Sequence, residues 1–234
     1  MENLSQFSST ELALQILVVA PHHDDEVIGC GGTIAYLTQK GHAVDVVYMT
    51  SGDIGVPNTE KLQAREIRES EATKSCEVLG VRNKWFLRGK DRDISYSLEK
   101  VKNIVEIIRK GGYQGVLFPH GNEQDREHRI IHDIVGEATW LSASPYFPEL
   151  GSPTHLKYLL MYEVWTPLSS YHMKFDISDF LETKITALSQ HKSQFSLEQA
   201  KKIVGLNLYR AAMHSSNAKA IEVFKYYTQI GRAH

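Results

Sequence analysis

His22, His23, Asp24, Asp25 and Glu26 stand side by side, two imidazoles and three carboxylates, directly after the apolar run Ile16 to Ala20 and the single residue Pro21. Such neighbours repel one another and desolvate poorly unless a cation joins them, so the junction reads as a metal-dependent hydrolytic site. The short spacing from His22 to Asp25 lets a tight turn bring both onto one ion and leaves Asp24 between them for proton transfer. The competing reading is an acidic loop with a helix cap, because Pro followed by Asp, Asp and Glu also marks a turn or a helix start. Catalytic zinc sites keep three protein ligands and an open position for water or substrate. A third ligand must therefore come from elsewhere, and the segment Pro119 to Arg129, with His120, Asp125, Glu127 and His128, is the source, His132 following one helical turn later. His128 is the choice there, set against the bland alternative of a structural histidine.

Strands must carry these loops. A buried parallel strand reads as an unbroken apolar run, and ligands collect outside the carboxyl ends of such strands. Ile16 to Ala20 is the first strand, Val44 to Met49 the second, Lys84 to Leu87 the third and Gly115 to Phe118 the fourth. Between them lie helix-like stretches: roughly Thr33 to Lys40, entered through a turn at Gly29, Gly31 and Gly32; Glu60 to Leu79; Leu98 to Ile108; and Ile130 to Leu141. The order predicts an α/β fold, a three-layer Rossmann-like sandwich with a mainly parallel sheet and the site at the carboxyl ends of the strands. The first and fourth strands can then flank the crevice. In the second helix Arg65 and Arg68 fall on the arc shared by Ala72, Cys76 and Leu79, and an inward arginine needs a partner or a ligand. Ser142 to Pro153, with three prolines, reads as a functional loop, a rim or a lid. Leu156 to Trp165 is a further strand; helices are expected near Ser178 to His191 and Leu197 to His214, with a terminal segment near Ala218 to Tyr227. Residues 1–234 are expected to form one domain, about 15–150 its core and about 151–234 an elaboration.

Composition excludes some partners. A net charge of -2 over 234 residues offers no basic footprint for a nucleic acid. Two separated cysteines without a CxxC read as free thiols in a reducing compartment, and Met1 to Gln15 is polar, without the apolar core of an export signal. No stretch approaches the roughly 20 apolar residues that cross a bilayer. The expectation is a cytoplasmic protein with no transmembrane segment, a small-molecule partner and late helices that could serve a homo-oligomer.

Pro21 to Glu26 resembles the (A/P)-H-x-D-D-E signature of the LmbE-like, PIG-L type family of zinc-dependent N-acetylglucosaminyl deacetylases. Gly29 to Thr33 resembles that family's glycine turn, Arg68 with Glu71 and Leu79-Gly80-Val81 its R-x-x-E and L-G-V segment, and Phe86-Leu87 with Asp91 its third strand and loop. Asp125 to Arg129 occupies the place of its H-x-D-H-R motif, and Lys184, Ala187, Leu188, His191, Ser193 and Gln194 are similar to its late motif. The similarity spans roughly residues 15 to 194. It implies that His22, Asp25 and His128 hold one zinc, that Asp24 is the general base, and that Arg68 and Asp91 contact an amino-sugar conjugate, with Arg65 and Asp93 competing for those two roles. Such a donor set suits zinc, with iron or cobalt also fitting. The implied reaction is hydrolysis of an N-acetyl group to acetate and a free amino sugar.

One departure stands out. The family motif opens on a histidine that steadies the oxyanion, and here that place holds Asp125, while Glu127 replaces an aspartate. A carboxylate cannot donate unless protonated. The zinc with another donor, His120, Arg129 or His191, would carry the task, or activity would be weakened; His23 adds a further donor, and Glu127 could orient His128 or a neighbour. Three rival readings remain in view: a nucleotide-binding module built on Gly29 to Gly32, an ester or phosphoester hydrolase using the same site, and a sugar-binding relative with weakened catalysis. The aromatics Tyr146, Phe147, Trp165, Tyr171 and His172 are candidates for stacking on sugar faces.

Overall fold

The computed structural model describes residues 2–3, 13–214 and 217–228. Of the polar stretch Met1 to Gln15, residues 1 and 4–12 therefore lie outside the described residues. Eight strands form one sheet in the order β1-β7-β8-β6-β5-β2-β3-β4. Strands β2 (Gln15–Ala20), β3 (Ala43–Thr50), β4 (Asn83–Gly89), β5 (Gly115–Pro119) and β6 (Tyr158–Tyr162) run parallel. Strand β8 (Ile221–Tyr226) lies antiparallel between β6 and β7 (Met173–Asp176), and β1 (Glu2–Asn3) pairs with β7 at the far edge.

Alternation along β2 shows why the run is apolar without interruption. Ile16, Val18 and Ala20 enter one core, with α1 (Asp25–Gln39), α2 (Lys61–Leu79) and α5 (Leu181–Leu188). Leu17 and Val19 enter the other, with α3 (Leu98–Gly111) and α4 (Arg126–Ser142). Helices thus cover both faces, and no polar position is tolerated in between. The chain leaves β2 toward β3 on one side and reaches β5 on the other, which opens a crevice at their carboxyl ends. Residues beyond 151 add β6 to β8 to the same sheet, with α6 (Leu197–Ile203) and α7 (Gly205–His214) outside it.

Three expectations need correction. The first helix starts at Asp25, eight residues before Thr33, and the glycines lie inside it rather than in a turn. Its backbone leaves helical geometry at Cys30, where φ is -147°. The kink frees the amides of Gly32 and Thr33, which donate to the buried Glu222 carboxylate at 2.9 and 2.8 Å. Lys184 Nζ bonds the same carboxylate at 2.7 Å and the carbonyl of Ile28 at 2.8 Å, so one ion pair caps both sides of the break. The glycines serve close packing: a Cβ on Gly29 would lie 2.2 Å from the Tyr162 ring, and one on Gly32 2.7 Å from Ile177. A phosphate cradle is excluded, because the protein's own carboxylate occupies those amides.

Second, the proline-containing loop after α4 is not a lid. Helix α4 begins beside the crevice and runs 17 residues away from it, roughly 25 Å. At its far end the Arg109 guanidinium donates to the carbonyls of Leu141, Ser142, Ser144, Tyr146, Phe147 and Gly151, which locks the loop at the opposite end of the sheet. Third, the stretch Leu197 to His214 is two helices, and β7 is a strand that the sequence did not announce. Among the described residues no helix is long and apolar enough to cross a membrane.

Candidate metal centre and substrate cavity

The loop after β2 turns at once. Asp24 N donates to His22 O at 3.1 Å, and the His22 amide donates to the Asp25 carboxylate at 2.8 Å, so Asp25 reaches back over the turn as α1 begins. Asp25 and Glu26 then occupy the first helical turn, where negative charge is favoured. Their side chains diverge. Glu26 points into the core, accepts a hydrogen bond from Tyr48 Oη at 2.6 Å, and is pushed by burial up to about 8.

Asp25 Oδ2 meets two imidazoles. His22 Nδ1 lies 3.2 Å from it and His128 Nε2 3.1 Å, and the two nitrogens are 3.3 Å apart. His128 comes from the first turn of α4, whose N-cap Asp125 accepts from the Glu127 amide at 2.8 Å. A near-equilateral triangle of two ring nitrogens and a carboxylate oxygen is a set that could hold a metal ion. Tetrahedral zinc with bonds of roughly 2.0–2.1 Å has ligand–ligand edges of about 3.3 Å, so these residues fit the ion with little movement. Without a cation the three groups must neutralise one another. Burial alone would lower His22, but the Asp25 and Glu127 carboxylates outweigh it and raise the imidazole to about 10. Burial would likewise raise Asp25, yet the two histidines hold it well below the usual carboxylate range.

The other face of His22 is also engaged. Its Nε2 pairs with Glu127 Oε2 at 2.8 Å and lies 3.9 Å from Asp91 Oδ1. Glu127 therefore orients His22 rather than His128. His22, Asp91 and Glu127 form a second group close enough to hold a cation.

Asp24 sits beside the triangle without belonging to it. Burial pushes its carboxyl up to about 6 while the Arg68 guanidinium, 3.4 Å away, pulls the other way. Arg68 Nη2 also donates to His23 O at 2.9 Å, which answers the inward arginine on α2. Three residues further along α2, Glu71 accepts from the Ser193 amide and hydroxyl at 2.7 Å each. Gln194 then donates to Gly55 O at 2.9 Å and reaches the cavity wall. The R-x-x-E pair and the late motif, separate in sequence, are thus one contact.

A cavity of about 220 Å³ opens over these groups, lined by His22, Asp24, Asp25, Arg68, Asp91, Arg92, Asp125, Trp165 and Gln194 together with Gly52, Ile54 and Gly55. Arg68 and Asp91 line it; Arg65 and Asp93 do not, Asp93 pairing with Lys90 in solvent. His120 stays off the wall. It accepts from the Asn122 amide and pairs with Thr166 O at 2.7 Å, so both ring nitrogens are taken. Arg129 is likewise held by the carbonyls of Glu123 and Gln124. His23 is buried against Tyr48 and Phe86, which also contact each other, and burial with the nearby Arg68 holds it well below its ordinary value. His191 is buried too and lowered by burial and Arg68 to about 3. Asp125 pairs with Arg92 Nη1 at 2.6 Å. Arg92 is the cavity cation that sequence reading missed; its left-handed backbone, φ 60°, leaves no trace in residue type.

Comparison with known proteins follows the same line. Residues 17–139 match the family described as PIG-L, GlcNAc-PI de-N-acetylase. The diacetylchitobiose deacetylase of Thermococcus kodakarensis is 33% identical over 195 residues, 77% of this chain and 70% of that protein. A probable N-acetyl-alpha-D-glucosaminyl L-malate deacetylase 2 of Bacillus cereus is 26% identical over 189 residues, 76% of this chain and 83% of that one. Among solved structures, the N,N'-diacetylchitobiose deacetylase from Pyrococcus horikoshii superposes with a TM-score of 0.83 at 26% identity, covering 92% of this chain and 84% of its own.

Proposed function

The chain belongs to the PIG-L family, and on that footing we propose that it is a hydrolase that removes the acetyl group from an N-acetylglucosamine-type small molecule, releasing acetate and an amino sugar. The observation that carries the reading is the triangle of His22 Nδ1, Asp25 Oδ2 and His128 Nε2, with edges of 3.1, 3.2 and 3.3 Å. These three residues would hold a divalent cation. Zinc is the first choice, because imidazole and carboxylate donors at tetrahedral spacing suit it, and iron or cobalt would fit the same donors. A cation bound there lowers the pKa of water to roughly 7 and polarises the acetyl carbonyl.

Asp24 takes the proton of the attacking water. Burial raises its carboxyl, the Arg68 guanidinium 3.4 Å away opposes that, and the group lies beside the triangle without belonging to it, as a general base must. Arg68 holds that carboxylate in place and, with Asp91, meets the sugar hydroxyls in the cavity. As the tetrahedral adduct collapses, Asp24 returns the proton to the leaving nitrogen. Asp125 caps α4 and anchors Arg92, whose position in the cavity wall supports a donor role in place of the family's histidine. The buried free thiols Cys30 and Cys76 support a reducing, cytoplasmic setting.

The test is metal analysis together with acetate release from N-acetylglucosamine conjugates. Metal-dependent acetate release is the expected result. Phosphate or ester cleavage from model compounds, with no acetate from any N-acetyl sugar, would replace this reading with a metal-dependent ester or phosphoester hydrolase. Binding without any cleavage would mark a sugar-binding relative that has lost catalysis.

A further inference from the structure

Of the five aromatics that sequence reading offered as sugar platforms, Trp165 alone lines the cavity. Tyr146 and Phe147 belong to the loop caged around Arg109 at the opposite end of the sheet. Tyr171 bonds His214, and His172 accepts from the Tyr226 amide and stacks on that ring. Trp165 is different in kind: its side chain is half exposed while its backbone is tied on both sides.

The tie is a single buried carboxylate. Glu123, 1% exposed, accepts from the amides of Val164 at 2.7 Å, Trp165 at 3.3 Å and Thr166 at 3.1 Å. His120 Nε2 meets Thr166 O at 2.7 Å, and the Gln124 amide donates to Thr166 Oγ1 at 2.7 Å. Five hydrogen bonds therefore fix residues 164–166 to the loop that leads into His128. Burying a carboxylate is costly, and this one stays ionised, held below its usual range against burial by His120 and the Val164 amide. What it achieves is a backbone held in place under a half-exposed indole that lines the cavity. Val164 beside it is buried, whereas Trp165 is 51% exposed.

A pyranose has the complementary shape. Its ring C–H groups form an apolar face that packs on an aromatic plane, while its hydroxyl edge needs polar partners. Arg68, Asp91 and Gln194 line the same cavity. We propose that Trp165 is the stacking platform for the sugar ring of the substrate, carried on a backbone that Glu123 fixes to the loop before His128. The proposal rests on the deacetylase reading for the identity of the sugar.

Two measurements separate the claims. Acetate release from N,N'-diacetylchitobiose by the zinc-loaded wild type tests the deacetylase reading. Calorimetric titration of the same sugar into zinc-loaded Asp24→Asn protein, with Trp165 intact or replaced, tests the platform. Trp165→Ala is expected to weaken Kd about tenfold, and Trp165→Tyr to restore it to within about threefold, because the tyrosine keeps an aromatic face. An unchanged Kd in Trp165→Ala, a Trp165→Tyr protein as weak as the alanine variant, or no binding to the Trp165-bearing protein would each overturn the platform. A Kd difference without acetate release by the wild type would keep the platform and remove the deacetylase reading.

Discussion

His22 and Glu127, 105 residues apart, pair at 2.8 Å through Nε2, on the side of the imidazole away from Asp25 and His128. The carboxylate fixes which nitrogen of His22 is free for a cation. Partners of this kind typically contribute 10–100-fold to metal affinity. Glu127→Ala is therefore expected to weaken zinc binding by about 10- to 100-fold, and Glu127→Gln by less, since an amide oxygen still accepts. Competition titration against a chelating dye measures both.

Asp24 and the triangle should separate cleanly. His22→Ala, Asp25→Ala or His128→Ala is expected to lower bound metal, whereas Asp24→Ala keeps metal and loses turnover by about 100- to 10,000-fold. Plasma emission analysis beside an acetate assay reads both quantities. Normal turnover in Asp24→Ala would remove it as the base.

Arg68 is expected to affect chemistry as well as binding. Its Nη2 lies 3.4 Å from Asp24 and bonds His23 O, so Arg68→Ala disturbs the proposed base in addition to emptying a cavity wall. The expected outcome is a lower kcat together with a higher KM. A change in KM alone would assign Arg68 to the sugar only.

Lys184 and Glu222, both fully buried, hold the kink in α1 and so the turn that carries Asp24 and Asp25. Removing one member leaves the other charge buried and unpaired. Lys184→Met is expected to cost about 3–5 kcal/mol in urea unfolding. A loss below roughly 1 kcal/mol would mean that the clip is not needed.

His191 gives a pH signature. It is lowered to about 3 by burial and Arg68, against an unfolded value of 6.5, so between these values the unfolded chain binds the extra proton. Stability therefore falls as pH drops from 6.5 toward 3, at up to roughly 1.4 kcal/mol per pH unit from this residue. Replacement by Gln should flatten the wild-type curve in that window; parallel curves would contradict the assignment.

Strands β2, β3 and β5 were legible because burial on both faces leaves an apolar run, and Ile16 to Ala20 ending in the polar cluster His22 to Glu26 is such a signal; β4, the half-buried edge strand, showed only the short run Trp85 to Leu87. The start of α1 was not, because Asp25 and Glu26 look like loop ligands and Gly29 to Gly32 like breakers. What allows a helix there is Glu222, 190 residues from Gly32, and no local pattern encodes it. The cavity repeats the lesson. Arg68 showed itself by falling on an apolar arc, but Arg92 is an ordinary loop arginine until its pairing with Asp125, and Glu123 is one acid among several until three amides converge on it. The loop from Ser142 to Pro153 misled through composition: prolines marked a shaped loop, and only the direction of α4 decides which end of the sheet it occupies.

The most direct test is an anomalous difference map at the zinc edge from crystals of the zinc-loaded protein. The account predicts one peak roughly 2.0–2.2 Å from each of His22 Nδ1, Asp25 Oδ2 and His128 Nε2. A peak held instead by His22 Nε2, Asp91 and Glu127, or His128 turned away from any bound zinc, would contradict it.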